Sequence, residues 1–193
     1  MAYEVRSSQT RYDGAIIRVR TDEVVQPDGE TATREVVEHA DSVAIVALDD
    51  RERVLLIEQY RHPLAAHLCE IPAGLRDEEG EDPLDTARRE LAEETGVSAG
   101  SWRTLVDVRT SPGILDETCR IYLARDLTEG DRTGAATGEE AELEARWTPL
   151  AEAVAMVFDG RITDALAVSG LLAAARVTAG QNADRDADMA WPG

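Results

Sequence analysis

Residues 71–97 read IPAGLRDEEGEDPLDTARRELAEETGV, and this stretch decides how the rest of the chain is read. Its second half is an acidic helix from about Pro83 to Thr95. Asp82 supplies a capping side chain, Pro83 suits the first helical position and Gly96 ends the helix. Leu84, Ala87 and Leu91 recur at i, i+3 and i+7, so one stripe faces a core. Glu90, Glu93 and Glu94 crowd the same helix. Glu90 and Glu94, four apart, share a face and can hold one ion between them.

Carboxylates on a helix are usually a solvated face, but three neighbours argue for more. The Pro72-Ala73-Gly74 turn before the helix can aim a backbone carbonyl at the same point. Arg88-Arg89 sits inside the acidic cluster, where a guanidinium can hold one glutamate by a fixed fork. A further pair, Glu139-Glu140, lies on a Gly-flanked stretch far along the chain, where a base could sit. Hard oxygen ligands without clustered His or Cys suit magnesium or manganese rather than zinc. Such ions bind phosphates, so the natural chemistry is hydrolysis at phosphorus. No HExxH, GxGxxG, Walker loop or GxSxG occurs, and the histidines are scattered at 39, 62 and 67.

Bulk composition narrows the partners. The 193 residues carry 39 acidic against 20 basic side chains, a net charge of −19, which argues against nucleic acid or an anionic membrane. A small anionic substrate stays compatible, because a bound divalent metal reverses the local sign. Every basic residue is Arg; there is no Lys. Hydrophobic content of 43% suffices for a core, and with 4% aromatics that core is mostly Val, Leu, Ile and Ala. Cys69 and Cys119 form no CxxC and read as thiols in a reducing cytosol. With no apolar signal segment at the start and no apolar run near 18 residues, the expectation is a cytoplasmic protein.

Outward from the helix, Ser42–Leu48 (SVAIVAL) and Arg53–Tyr60 (RVLLIEQY) are strand signals joined by a polar link that fits a hairpin. Residues 61–69 read as a loop. Trp102–Val108, Cys119–Ala124 and Ala145–Thr148 read as further strands, and 128–139 as a mobile loop. Leu150–Phe158 and about Thr163–Val177 read as helices, the latter packing on the sheet or on a symmetry mate. Before all of these, Ala15–Val19 and Thr33–Glu38 flank a Gln26-Pro27-Asp28-Gly29 turn. The pattern is a mixed sheet with helices on both faces, α/β or α+β. The expected division is a β extension over 1–40, a main domain over 41–178 and a disordered tail over 179–193.

These residues resemble the Nudix hydrolase family, whose signature is G-x5-E-x7-R-E-U-x-E-E-x-G-U with U a bulky aliphatic. Glu81 and then Arg89-Glu90-Leu91-Ala92-Glu93-Glu94-Thr95-Gly96-Val97 match it with the correct gap. One departure exists: six residues, not five, separate Gly74 from Glu81, an insertion that can bulge from the loop. Gln59-Tyr60-Arg61, Glu70-Ile71-Pro72-Ala73-Gly74 and Ser111-Pro112-Gly113 are similar to the ADP-ribose pyrophosphatase branch, and SPGILDE to its actinobacterial members.

The resemblance implies a Nudix-type α/β/α sandwich with a small N-terminal antiparallel β extension. It implies Glu90, Glu94 and the Ala73 carbonyl as ligands of Mg²⁺ or Mn²⁺, two or more ions per site. Glu93 is a second-line ligand or the partner of Arg89, and stands with Glu139 and Glu140 among the catalytic candidates. Glu81 and Arg89 are structural. Arg61 and Glu70 match nucleotide- or ribose-contacting positions, and Pro112 and Gly113 belong to a substrate loop. Arg34 and Glu35, with His39 nearby, fall where a swapped partner's strands reach the base. The implied reaction is hydrolysis of ADP-ribose to AMP and ribose 5-phosphate by a homodimer. The alternatives are another nucleoside diphosphate derivative, such as a nucleotide sugar or NADH, or a non-catalytic ADP-ribose-binding regulator.

Overall fold

The computed structural model describes residues 3–77, 80–132, 143–181 and 184–192. The chain parts into two units: Met1–Asp41 with Arg109–Thr118, and Ser42–Val108 with Cys119–Gly193. In the first unit three antiparallel strands stand in chain order, β1 (Glu4–Asp13), β2 (Ile17–Val25) and β3 (Thr31–His39). Gly29 closes the second hairpin at φ 88, a backbone region open to glycine, and its N–H donates to the Gln26 carbonyl at 2.9 Å. β1 (EVRSSQTRYD) is exposed along its whole length. It lacks the apolar alternation that marks a strand in sequence, which is why residues 4–13 are not singled out there. Residues 109–118 dock on β3 in this same unit: the Val37 N–H donates to the Ile114 carbonyl at 2.7 Å and the Asp116 N–H to the Val37 carbonyl at 3.2 Å.

The second unit opens with β4 (Ser42–Ala47), β5 (Arg53–Arg61), a 3₁₀ turn (His62–Leu64), β6 (Ala66–Glu70) and β7 (Ala73–Leu75). It continues through α1 (Pro83–Thr95), β8 (Val97–Val108), β9 (Cys119–Glu129), β10 (Glu144–Pro149), α2 (Leu150–Phe158), α3 (Ala165–Thr178) and β11 (Arg185–Asp186). One sheet has the order β11-β8-β9-β4-β7, with β4 parallel to β9 and antiparallel to β7. A second, antiparallel sheet has the order β10-β5-β6.

Every residue of β4 is buried, and its side chains divide by parity. Ala44 and Val46 join a core with Leu105, Ile121, Met156 and Leu171, which brings in α2 and α3. Val43, Ile45 and Ala47 join a second core with Ala87, Leu91, Trp102 and Tyr122, which brings in α1. Helices therefore cover both faces of a mixed sheet, the α/β/α sandwich expected from the sequence. α3 approaches the sheet through Gly170, where a Cβ would lie 2.9 Å from Val46 Cγ2. The Ala- and Leu-rich last helix thus packs on the sheet.

Four expectations are corrected. β4 and β5 are not a hairpin: beyond a bridge between Leu48 and Val54 they belong to different sheets, because β4, buried on both faces, sits between β9 and β7. Residues 66–70 are a strand, pairing with β5 from Ala66↔Arg61 to Glu70↔Ile57. Thr128 and Glu129, read as loop, extend β9 opposite Ser98 and Val97. The tail is not structureless: Arg185 and Asp186 pair with Thr104 and Arg103. Its anchors are long-range partners, which a local reading of a polar stretch does not register.

Candidate active site

The acidic helix is fixed at both ends before any functional side chain is considered. The Asp82 carboxylate accepts from the Leu84 N–H at 2.9 Å, and Pro83 follows at the first position. Gly96 caps the other end at φ 71, and a Cβ there would stand 2.4 Å from the Gly130 carbonyl oxygen. Thr86, Ala87 and Leu91 are buried against the sheet. That orientation leaves Glu90, Glu93 and Glu94 to line a cavity of about 360 Å³, together with Ala73, Asp77, Arg61, Gln59 and Arg89.

One arginine organises the carboxylates. Arg89 Nε and Nη2 donate to the two oxygens of Glu81 at 3.2 and 3.1 Å, a two-point clamp. Its Nη1 donates to Glu90 Oε1 at 2.7 Å and to Glu93 Oε2 at 3.4 Å. Glu81 also accepts from Thr86 Oγ1 at 2.8 Å, and its bonds with Arg89 hold its carboxyl below the usual range. The hydrogen bond to Glu81 leads a set of contacts that raise Arg89 further above its ordinary value. Glu90 behaves oppositely. Burial pushes its carboxyl up, Glu93 and Asp77 add to that, and Arg89 only partly offsets them. Glu94 accepts from the Ala73 N–H at 3.1 Å, and its own carbonyl accepts from Arg132 Nε at 2.6 Å.

The backbone facing these groups must be bare. A Cβ on Gly74 would fall 2.1 Å from Glu90 Cδ. Glycine is therefore what lets β7 lie against the carboxylates. At the cavity's other side Arg61 forks onto Glu70, Nε to Oε1 at 2.8 Å and Nη2 to Oε2 at 2.6 Å. Glu70 is 3% exposed, so this partner is a buried charge neutralised in place. The fork raises the Arg61 pKa, and Asp164 and Glu94 contribute.

Do these residues fit a divalent metal? Among the described residues no three Asp, Glu, His or Cys side chains enclose an ion by themselves. A magnesium-type ion does not need that: it keeps waters, and takes one or two carboxylates plus substrate phosphates. A half-buried Glu90 whose ionised form burial disfavours, beside Glu93, Glu94 and Asp77, is a place where added positive charge is favourable. The donors fit.

The other sequence candidates belong to the first unit or fall outside the described residues. Arg34 and Glu35 stand on β3, with Arg34 Nη1 donating to the Thr33 carbonyl at 3.0 Å. Pro112 and Gly113 belong to the same first unit, in a turn where the Ser111 carbonyl accepts from Ile114 and Leu115 at 3.0 and 2.9 Å. His39 is held there too, its N–H donating to Asp116 at 3.0 Å. Glu139 and Glu140 lie outside the described residues. Sequence reasoning passed over Asp77 and Gln59 as cavity residues and Asp164 beside Arg61. Asp77 follows the Pro-Ala-Gly turn closely, which is a local signal; Gln59 stands out only as part of the Gln59-Tyr60-Arg61 motif, and nothing local ties Asp164 to Arg61.

A carboxylate-studded helix faces a bare glycine strand across a cavity with a fixed arginine fork, an arrangement suited to metal-assisted chemistry on phosphates. The chain matches the NUDIX domain over residues 29–167 and the nucleoside diphosphate sugar hydrolase N-terminal domain over residues 3–37. It is 46% identical to the ADP-ribose pyrophosphatase of Mycobacterium tuberculosis (strain ATCC 25618 / H37Rv), covering 98% of this chain and 91% of the relative. It is 36% identical to the methanol dehydrogenase activator of Bacillus methanolicus, over 81% and 84%. A solved structure, "Crystal structure of ADP compounds hydrolase", superposes with a TM-score of 0.81 at 23% identity, over 94% of this chain and 97% of that one, and so shares the fold. The chain belongs to the Nudix family, as a Nudix hydrolase. Members of the family generally need divalent metal ions.

Proposed function

We propose that this protein hydrolyses the diphosphate of ADP-ribose to AMP and ribose 5-phosphate, with Mg²⁺ or Mn²⁺ as cofactor and two or more ions per site. The observation that carries the chemistry is Glu90, Glu93 and Glu94 lining one cavity with Ala73 across a bare Gly74. The substrate rests on the similarity to the M. tuberculosis enzyme along nearly the whole chain.

Glu90, Glu94 and the Ala73 carbonyl would hold the metal, with Glu93 as a further ligand. Bound there, it neutralises the diphosphate and makes a water more acidic. The protein's own residues do the rest. Arg89 fixes the Glu90 and Glu93 carboxylates, limiting how far they can swing. Arg61, held by Glu70, presents a permanent cation at the cavity's edge to orient the anionic substrate. Glu139 or Glu140 takes the proton of the attacking water. That water's oxygen bonds to phosphorus, the bridging P–O bond breaks, and its electron pair leaves on the departing phosphate. Arg34, Glu35, Pro112 and Gly113 are assigned to the nucleoside end. We further place the protein in the cytoplasm as a homodimer.

The match of residues 3–37 to a nucleoside diphosphate sugar hydrolase domain favours one second reading, a nucleotide sugar as substrate. Assaying ADP-ribose, NADH, UDP-glucose and GDP-mannose with Mg²⁺ separates the two by which yields phosphate-ester products fastest. No turnover of any would indicate a binder instead. In Glu94→Gln, turnover should fall by on the order of 10² or more with the fold intact by circular dichroism, as when a ligand's charge is removed. Near-normal activity in that variant would sink the assignment.

A further inference from the structure

A strap of residues 184–192 lies on the sheet of the second unit, and nothing in the reaction above uses it. β11 pairs with β8 at Thr104 and Arg103, and Arg103 pairs with Asp186 at 2.5 Å and Asp184 at 3.4 Å. Ala187 packs on the core that contains Ala87 and Leu91 of α1. The strongest hold is on Arg120, which is 1% exposed. Its Nε donates to Asp107 Oδ1 at 2.7 Å, but Nη1 and Nη2 donate to strap carbonyls, Met189 at 2.6 Å and Ala190 at 2.8 Å. A buried guanidinium needs acceptors, so the strap is part of what makes Arg120 tolerable there. Asp107 takes Arg185 of the strap on its other oxygen at 2.8 Å.

These anchors set the ring of Trp191. Its centroid lies 5.1 Å from Arg120 Cζ and 4.4 Å from Arg76 Cζ, within the range of cation–π attraction. Arg76 follows β7 and reaches forward, Nη2 donating to the Glu81 carbonyl at 3.4 Å. Glu81 is the residue that clamps Arg89, and Arg89 holds Glu90. We propose that Trp191 is a positioning residue of the metal site: the strap seats its ring on Arg76, and Arg76 steadies Glu81 beneath the Arg89–Glu90 pair. This rests on the reading that Glu90 and Glu94 hold the metal. Trp191 is not among the described residues that line the cavity; it acts by holding what holds a ligand.

The test uses the full chain. Mn²⁺ binding without substrate, followed by the paramagnetic resonance of the free ion, should weaken roughly three- to tenfold in Trp191→Ala, less than for loss of a direct partner of a ligand. Trp191→Phe, which keeps a ring on Arg76, should recover most of it. In turnover Trp191→Ala should need more Mg²⁺ for half-maximal rate, with kcat at saturating metal nearly restored. A merely structural role would lower the melting temperature and leave the folded protein's Mn²⁺ affinity alone; that result overturns the proposal, as does a Phe variant no better than Ala. Mn²⁺ binding needs no substrate, so a Trp191-dependent affinity in a protein that cleaves none of the panel would sustain the strap and sink the proposed reaction. Linkage supplies a test that needs no variant: if the strap favours metal, metal must favour the strap. Amide exchange across 184–192 in the unaltered protein should slow on adding Mn²⁺, and unchanged exchange overturns the proposal even where Trp191→Ala fails to fold.

Discussion

At Gly74 a hydrogen stands where a methyl would meet the Glu90 carboxyl carbon at 2.1 Å. Gly74→Ala therefore pushes Glu90 off its bond with Arg89 rather than merely tightening a turn. We expect kcat/KM to drop about 10- to 100-fold, the scale seen when a ligand's support is lost, with the far-ultraviolet spectrum unchanged. Kinetics beside circular dichroism checks this. Asp107 makes a different prediction. Burial alone would raise its carboxyl, but the bonds from Arg120 and Arg185 outweigh that and hold it below the usual range. A depressed carboxyl contributes stability that is fully present above its unfolded value, about 3.9, and lost as pH falls through the lower folded value. Asp107→Asn should thus be less stable near neutrality and lose less stability than the parent on acidification below about pH 4. Melting temperatures between pH 3 and 7 decide it; parallel curves would contradict the pairing.

Among the elements, α1 was the most legible, because everything that defines it is local. The Asp82 cap, Pro83, Gly96 and the Leu84–Ala87–Leu91 stripe are all sequence neighbours, and the helix begins and ends where they place it. Leu91 is 0% exposed between the helix and β4, so Leu91→Ala should cost about 2–5 kcal/mol, measurable by denaturant titration. A cost under about 1 kcal/mol would mean the site collapses around the cavity. The elements that escaped sequence reading escaped for physical reasons. β6 has only five residues and an exposed beginning; β1 has no buried face; β11 is two residues held by ion pairs. The β4–β5 link reads as a hairpin because a polar link between two strands looks the same whether or not they share a sheet.

Across the whole molecule, the acidic face of α1 can be placed from spacing, because carboxylates four apart share a helix face, whereas Arg61 is reached only through the family resemblance. The Arg89 clamp, the Arg61–Glu70 fork and the carboxylates of the cavity then came together in one unit. Partition could not be foreseen: residues 109–118 sit far along the chain yet belong with 1–41, through Val37 and His39. Our placing of Arg34 and Glu35 at the nucleoside end, with strands of a second copy supplying them, requires a dimer. Light scattering should give twice the 21.0 kDa of one chain, and a mass of one chain would overturn it.

The choice of cation has a further consequence for how this protein meets alkali. With no lysine in the chain, the clamp on Glu81, the fork on Glu70 and the buried knot on Asp107 are all made by guanidinium groups. A guanidinium keeps its proton beyond pH 12, where an ammonium would already be neutral. Burial also keeps the Tyr122 hydroxyl protonated to higher pH than an exposed phenol. The ionic framework is therefore one-sided: acid dismantles it by protonating the carboxylates, and base leaves its cations standing.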